Sequence, residues 1–125
     1  MIHRIPTHLT DSQLIEELKR CAHDERDATA RLVAHLAEMD ARMLHRGLGF
    51  SSLFAYCLEV LRLSEGAACK RIDVARAARR YPVLLERMVD GSLSLTTARL
   101  VRDHQVRSEA FKSAAALIGR LSANS

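Results

Sequence analysis

Five basic side chains lie within one stretch of the chain, LSEGAACKRIDVARAARRYP, which runs from residue 63 to residue 82. They are Lys70, Arg71, Arg76, Arg79 and Arg80. The remainder of the stretch is rich in alanine, which favours a helix. Cations arranged on a helix can bind the phosphates of a nucleic acid or an acidic protein, but they also occur on ordinary solvated helices.

The charge of the whole chain supports a polyanion partner. The net charge is +4, and it is unevenly distributed. Residues 1–61 carry 7 basic and 9 acidic side chains, a net charge of −2, whereas residues 62–107 carry 10 basic and 5 acidic, a net charge of +5. Residues 108–125 add +1. The basic character therefore begins close to the stretch above, which suggests a nucleic acid, an acidic partner or an anionic surface.

Other reactive residue types show no arrangement that could support catalysis. The six histidines have no repeated ligand spacing; they are His3, His8, His23, His35, His45 and His104. Cys21, Cys57 and Cys69 form no CxxC motif, and we predict reduced, buried thiols in a reducing cytoplasm. No P-loop or GxGxxG motif is present. The sequence therefore predicts no metal, no cofactor, no small-molecule substrate and no enzyme activity.

Nothing in the sequence predicts association with a membrane. The N-terminus, MIHRIPTHLTDSQ, lacks the apolar run of a signal peptide. No segment approaches the ~20 apolar residues that are needed to span a bilayer. We expect a soluble cytoplasmic protein.

The composition predicts an all-α fold. Apolar residues make up 48% of the chain, while aromatic residues make up only 4%. Leu and Ala dominate the apolar positions, and a core of Leu, Ala, Met and Val suits helix packing better than strands. We predict a long N-terminal amphipathic helix followed by a multi-helix bundle that resembles a helix-turn-helix domain.

The long helix is predicted over residues 10–46, after a flexible arm of residues 1–9. Thr10 and Gln13 have the spacing of a capping box. Apolar residues then follow at steps of three and four: Leu14, Leu18, Cys21, Ala28, Leu32, Leu36, Met39 and Met43. A kink is predicted near Glu25, and Gly47 or Gly49 is expected to end the helix. At roughly 50 Å this helix is too long for one small domain to cover, so the sequence predicts a break or a homodimer seam.

Residues 47–121 are predicted to form the helix-turn-helix-like domain, and 122–125 a frayed tail. Ser51 or Ser52 caps a helix to residue 61, and Ser64 caps a helix over 65–80. The segments VLLERMV and LTTARLV form two further helices on either side of an Asp-Gly turn, and SEAFKSAAALIGRL forms the last one. In helix 65–80 the predicted inner face is Ala68, Ile72 and Ala75. The residues predicted on the flanks and outer side are Cys69, Lys70, Asp73, Arg76 and Arg80.

Three families share parts of this pattern. LSEGAACKRIDVARAARR resembles the helix-turn-helix of sigma-factor region 4, and residues 63–101 are similar in layout to ParB-type DNA-binding domains. Residues 10–103, including GFSSLFAYC, LSEGAA and RRYP, resemble the non-catalytic region that precedes the catalytic unit of bacterial HNH endonucleases. Their His-rich ββα-metal unit has no counterpart in these 125 residues, and the likeness fades from about His104.

These observations predict a DNA-binding helix-turn-helix module without catalytic activity, acting as a homodimer. The resemblance implies either a small regulator or the DNA-contacting part of a truncated HNH endonuclease. The alternative is a protein-interaction or dimerisation module that binds an acidic protein. The predicted DNA-binding residues are Ser64, Gly66, Lys70, Arg71, Arg76, Arg79 and Arg80.

Overall fold

The computed structural model of the chain describes residues 4–103 and 118. Six helices follow one another in this part: α1 (Asp11–Arg42), α2 (Leu44–Gly47), α3 (Leu53–Glu59), α4 (Glu65–Arg80), α5 (Val83–Val89) and α6 (Leu95–Asp103). No strand occurs among the described residues, and the predicted all-α fold is confirmed. None of the described helices has the length and apolar character needed to cross a membrane.

Helix α1 begins at the capping box that the sequence predicts. The Thr10 hydroxyl accepts from the Gln13 N–H at 3.2 Å, and the Gln13 side chain accepts from the Thr10 N–H at 3.0 Å. Helix α1 runs through Glu25, the predicted weak point or kink, as one continuous element. No Gly or Pro interrupts this region, and such residues are the usual cause of a sharp kink.

Ion pairs of acidic and basic side chains lie along α1. Two have a spacing of four residues, Asp27–Arg31 at 3.2 Å and Glu38–Arg42 at 2.8 Å. Two others have a spacing of three residues, Glu16–Lys19 and Glu17–Arg20. These exposed pairs each contribute only a few tenths of a kcal/mol to the helix.

Helix α1 ends earlier than the glycines suggest. Met43 takes the left-handed conformation at φ 53°, and its N–H donates to the carbonyls of Met39 and Asp40. The short helix α2 follows, and Gly49 at φ 90° closes the connection to α3. The predicted end near residue 46 therefore lies in α2, because a methionine rather than a glycine adopts the capping conformation.

The shorter helices begin at hydroxyl caps. Ser52, Ser64 and Ser94 accept hydrogen bonds from the N–H groups three residues later. Helix α4 has the predicted bounds, and α5 covers the predicted VLLERMV segment. The predicted helix 108–121 and tail 122–125 lie outside the described residues, except for Ile118, which is helical and packs against the core.

The core surrounds α4. Helices α1, α3, α5 and α6 all contact it, so α4 is the central helix of the described chain. The largest fully buried side chains are Val33, Cys57, Val74 and Leu84, from four different helices. The second half of α1 thus shares one core with α3, α4 and α5.

The first half of α1, residues 11–25, contains no buried side chain. Of the predicted apolar stripe, Leu32, Leu36 and Met39 pack on the core, whereas Leu14, Leu18, Cys21, Ala28 and Met43 are exposed. Ala30 and Val33 are buried although they lie outside that stripe. The positions of α4 and α5 select the covered side of α1, and sequence periodicity alone does not specify them.

Arg26 marks the point where α1 meets the rest of the chain. Its Nε donates to the Val89 carbonyl at 3.3 Å, at the end of α5. Gly91 follows in the turn with φ 82°, and a Cβ built on it would lie 3.2 Å from Arg26 Nε. A glycine suits this turn because both the backbone angle and the neighbouring guanidinium leave little tolerance for a side chain.

Candidate nucleic-acid interface

Helices α3 and α4 have the layout of a helix-turn-helix unit. The intervening turn contains Arg62 at φ 59°, and the Leu63 N–H donates to the Cys57 carbonyl at 3.1 Å. The Ser64 hydroxyl accepts from the Ala67 N–H at 3.2 Å, so Ser64 acts as the predicted N-cap. These contacts fix the start of α4 relative to α3.

Helix α4 is more enclosed than an exposed recognition helix. The predicted inner face of Ala68, Ile72 and Ala75 is buried. The opposite side is also packed, since Val74, Ala77 and Ala78 are buried. The exposed residues are confined to the first turn and to three arginines near the C-terminus: Glu65, Gly66, Arg76, Arg79 and Arg80.

The predicted DNA-binding residues at the start of α4 are divided between surface and interior. Ser64 and Gly66 are exposed. Lys70 is half-buried, and Arg71 is half-buried with its Nη1 donating to the Ala67 carbonyl at 3.2 Å. Arg71 Nε is enclosed without a hydrogen-bond acceptor among the described residues. Lys70 and Arg71 therefore do not extend the exposed cationic surface.

Asp73, predicted among the flank and outer-side residues of α4, lies on a flank that α6 covers. Asp73 is buried, and one of its carboxylate oxygens accepts from Arg99 Nε of α6 at 2.6 Å. Helix α6 crosses this flank of α4 and supplies the partner. A cation 26 positions further along the chain gives no local signal in the sequence.

Arginines near the C-terminus of α4 contact acids of α1. Arg76 donates through Nε and Nη2 to the two carboxylate oxygens of Asp40, both at 3.2 Å. Arg79 Nη1 donates to Glu38 at 2.6 Å, and Glu38 also accepts from Arg42 at 2.8 Å. The sequence pattern finds Glu38–Arg42 by its four-residue spacing but cannot find the two contacts between helices.

We call Arg42, Arg76, Arg79 and Arg80 the arginine cluster. Arg80 lies with its guanidinium carbon 5.9 Å from the centre of the Tyr81 ring, a weak cation–π contact. The hydrogen bonds from Arg79 and Arg42, in that order, lower the pKa of Glu38 below its usual value of 4.5. The hydrogen bond to Asp40 raises the pKa of Arg76, so this guanidinium stays charged.

The histidines and cysteines form no metal site within residues 4–103. No group of three or more His, Cys, Asp or Glu side chains there is placed to hold a metal ion. His45 is buried, and His35 Nδ1 lies 2.6 Å from the Arg31 carbonyl. His3 and His104 lie outside the described residues.

The expectation of three buried thiols is confirmed only for Cys57. Cys69 is half-buried, and Cys21 is exposed on the first half of α1. Burial raises the pKa of the Cys57 thiol, which makes it a poor nucleophile at neutral pH. Cys21 is exposed because no described residue covers that part of its helix.

No family model, no curated protein and no solved structure matches the chain. The resemblances described from the sequence therefore stay predictions.

Proposed function

We propose that this chain is a non-catalytic DNA-binding module that contacts phosphates through the arginine cluster. One observation carries the proposal: the guanidiniums of Arg42, Arg76 and Arg79 meet the carboxylates of Glu38 and Asp40 where α4 crosses α1, and Arg80 follows on the same helix. The helix-turn-helix layout of α3 and α4 and the resemblance to DNA-binding families support the same function.

The ion pairs within the cluster leave arginines able to bind phosphate. The side chains of Arg42, Arg76 and Arg79 are all at least half exposed, and exposed pairs contribute little stability. A guanidinium has five N–H donors, and Arg76 commits two of them to Asp40. A phosphate can therefore add to these arginines or replace a carboxylate at low cost.

The packing of α4 favours backbone contacts over insertion into a groove. Both sides of the helix are covered, and its exposed first turn carries the acidic Glu65. Phosphate contacts position a protein on the duplex without reading bases. We therefore propose that binding depends only weakly on DNA sequence.

Fluorescence anisotropy with a short duplex of random sequence tests this function. About four phosphate contacts give a slope of log K against log salt of roughly −3.6, at ~0.9 per contact. Arg79→Ala combined with Arg80→Ala should lower the magnitude of this slope by about two. Lys19→Ala with Arg20→Ala removes the same charge from the first half of α1, and the slope should then stay at the wild-type value.

Two outcomes would contradict the proposed DNA binding. The first is wild-type affinity and slope in the Arg79/Arg80 double variant, and the second is an equal loss in the Lys19/Arg20 control. The acidic protein partner predicted as an alternative would use the same arginines. It becomes the better explanation if the wild-type chain binds no duplex even at low salt.

A further inference from the structure

An apolar strip on the first half of α1 is uncovered by the described chain. The exposed fractions of Leu14, Ile15 and Leu18 are 45%, 54% and 67%. Cys21 and Ala22 are exposed beside them. At 100° per residue these side chains share one side of the helix over roughly 12 Å of its length. A contiguous apolar surface of this kind commonly marks a binding site.

Acidic residues border this strip. Asp11 and Glu25 lie on the same side of the helix at its two ends, and Glu17 and Asp24 lie on one flank. Residues 11–27 contain 6 acidic and 3 basic side chains, a net charge of −3. Two of the three cations are paired locally, Lys19 with Glu16 and Arg20 with Glu17. The field around the strip is therefore negative.

We propose that this strip is a docking site for a basic amphipathic helix of a partner protein. Apolar side chains spaced by three and four residues would cover Leu14, Ile15 and Leu18. Lys or Arg residues on the same helix would face Asp11 and Glu25, which lie about 21 Å apart along α1. Helix-on-helix recognition of this kind combines apolar anchors with charge complementarity at the edges.

A cavity at the end of the strip gives an apolar side chain of such a helix an anchoring point. It has a volume of about 360 Å³ and lies where α1 meets the turn between α5 and α6. Glu25, Arg26 and Thr29 line it on the α1 side, and Arg71, Met88, Leu93 and Leu95 line it on the other. One apolar side chain of the partner can enter this space, which fixes the register of the helix.

A second copy of this chain fits the strip less well. An antiparallel pair centred on Leu18 would place Asp11 opposite Glu25 of the other copy, so like charges would meet at both ends. The homodimer seam predicted from the sequence therefore lacks charge complementarity in this region.

The test uses the full chain and a synthetic helical peptide with Leu at three- and four-residue spacing flanked by Lys. Leu18→Glu should weaken peptide binding at least about tenfold, whereas Leu48→Glu, an exposed leucine elsewhere, should change it by less than about twofold. Glu25→Lys should weaken binding and Glu59→Lys should not. The proposal fails if a peptide with Glu in place of Lys binds equally well, or if Leu18→Glu has no effect.

Alkylation of Cys21 identifies any other occupant. The Cys21 thiol should react readily in the free chain at every protein concentration, and it should react more slowly when the basic peptide is present. The buried Cys57 thiol should stay unreacted in both cases. Protection that grows with protein concentration would assign the strip to a second copy. Protection independent of concentration would assign it to residues 104–125 of the same chain, and either result overturns the proposal. The Arg79/Arg80 double variant should bind the peptide normally, so this test is independent of DNA binding.

Discussion

The first half of α1 and helix α4 are nearly equal in length, yet their surroundings are opposite. Residues 11–25 bury no side chain, while α4 buries seven of its residues. Both segments show apolar residues at helical spacing, so the pattern is the same. The difference arises from neighbours: four described helices pack on α4, and none covers the first half of α1. A helical pattern thus predicts which residues share a side but not whether that side is covered.

Matched leucine substitutions on α1 should give the largest effect. Leu36 is 2% exposed and packs in the core, so Leu36→Ala should lower the free energy of unfolding by about 2–5 kcal/mol. Leu18→Ala on the same helix should change it by less than about 0.5 kcal/mol, because the side chain is exposed. Urea denaturation followed by circular dichroism measures both. Equal losses would mean that the first half of α1 is covered in solution.

Asp73 tests the enclosure of α4 by α6. Asp73→Ala removes the acceptor of Arg99 Nε, and we expect a loss of about 1–3 kcal/mol in unfolding free energy. The loss stays moderate because the Arg99 side chain is 40% exposed and water can solvate its charge. Asp24→Ala, an exposed acid on the first half of α1, is the control and should be nearly neutral. A neutral Asp73→Ala variant would contradict the contact between α4 and α6.

These contacts show which parts of the structure could be predicted from the sequence alone. Capping residues and helix bounds follow from local chemistry, as Thr10, Ser52 and Ser64 illustrate. The partners of Asp73 and Arg79 could not be found, because they are separated by 26 and 41 positions from the residues they contact. The basic stretch indicated a cationic helix, but the packing of neighbouring helices divides those cations between solvent, carboxylates and the interior.

The pKa of Glu38 should show the smallest effect. The guanidiniums of Arg79 and Arg42 lower it below 4.5, so the pairing stabilises the fold above that pH and is lost as the pH falls through the lowered value. Titration of the Glu38 carboxyl carbon by NMR should give a midpoint below 4.5, and Arg79→Ala should raise it. Arg20→Ala should leave it unchanged. A rise in the Arg20→Ala control would mean that the shift reflects overall charge.

The hydrogen bond from Arg26 to Val89 also marks a boundary in α1, and we expect the amide protons on its two sides to exchange at different rates. Residues before Arg26 form no hydrogen bond to another described helix, so they depend on the capping box, local ion pairs and helix propensity. A helical segment of about 15 residues is only marginally stable by itself in water. Amide protons of residues 15–25 should therefore exchange with solvent by fraying from Thr10, while those beyond Ala30 exchange only when the core opens. We therefore expect the two parts of this continuous helix, before and after Arg26, to unfold locally and independently of each other.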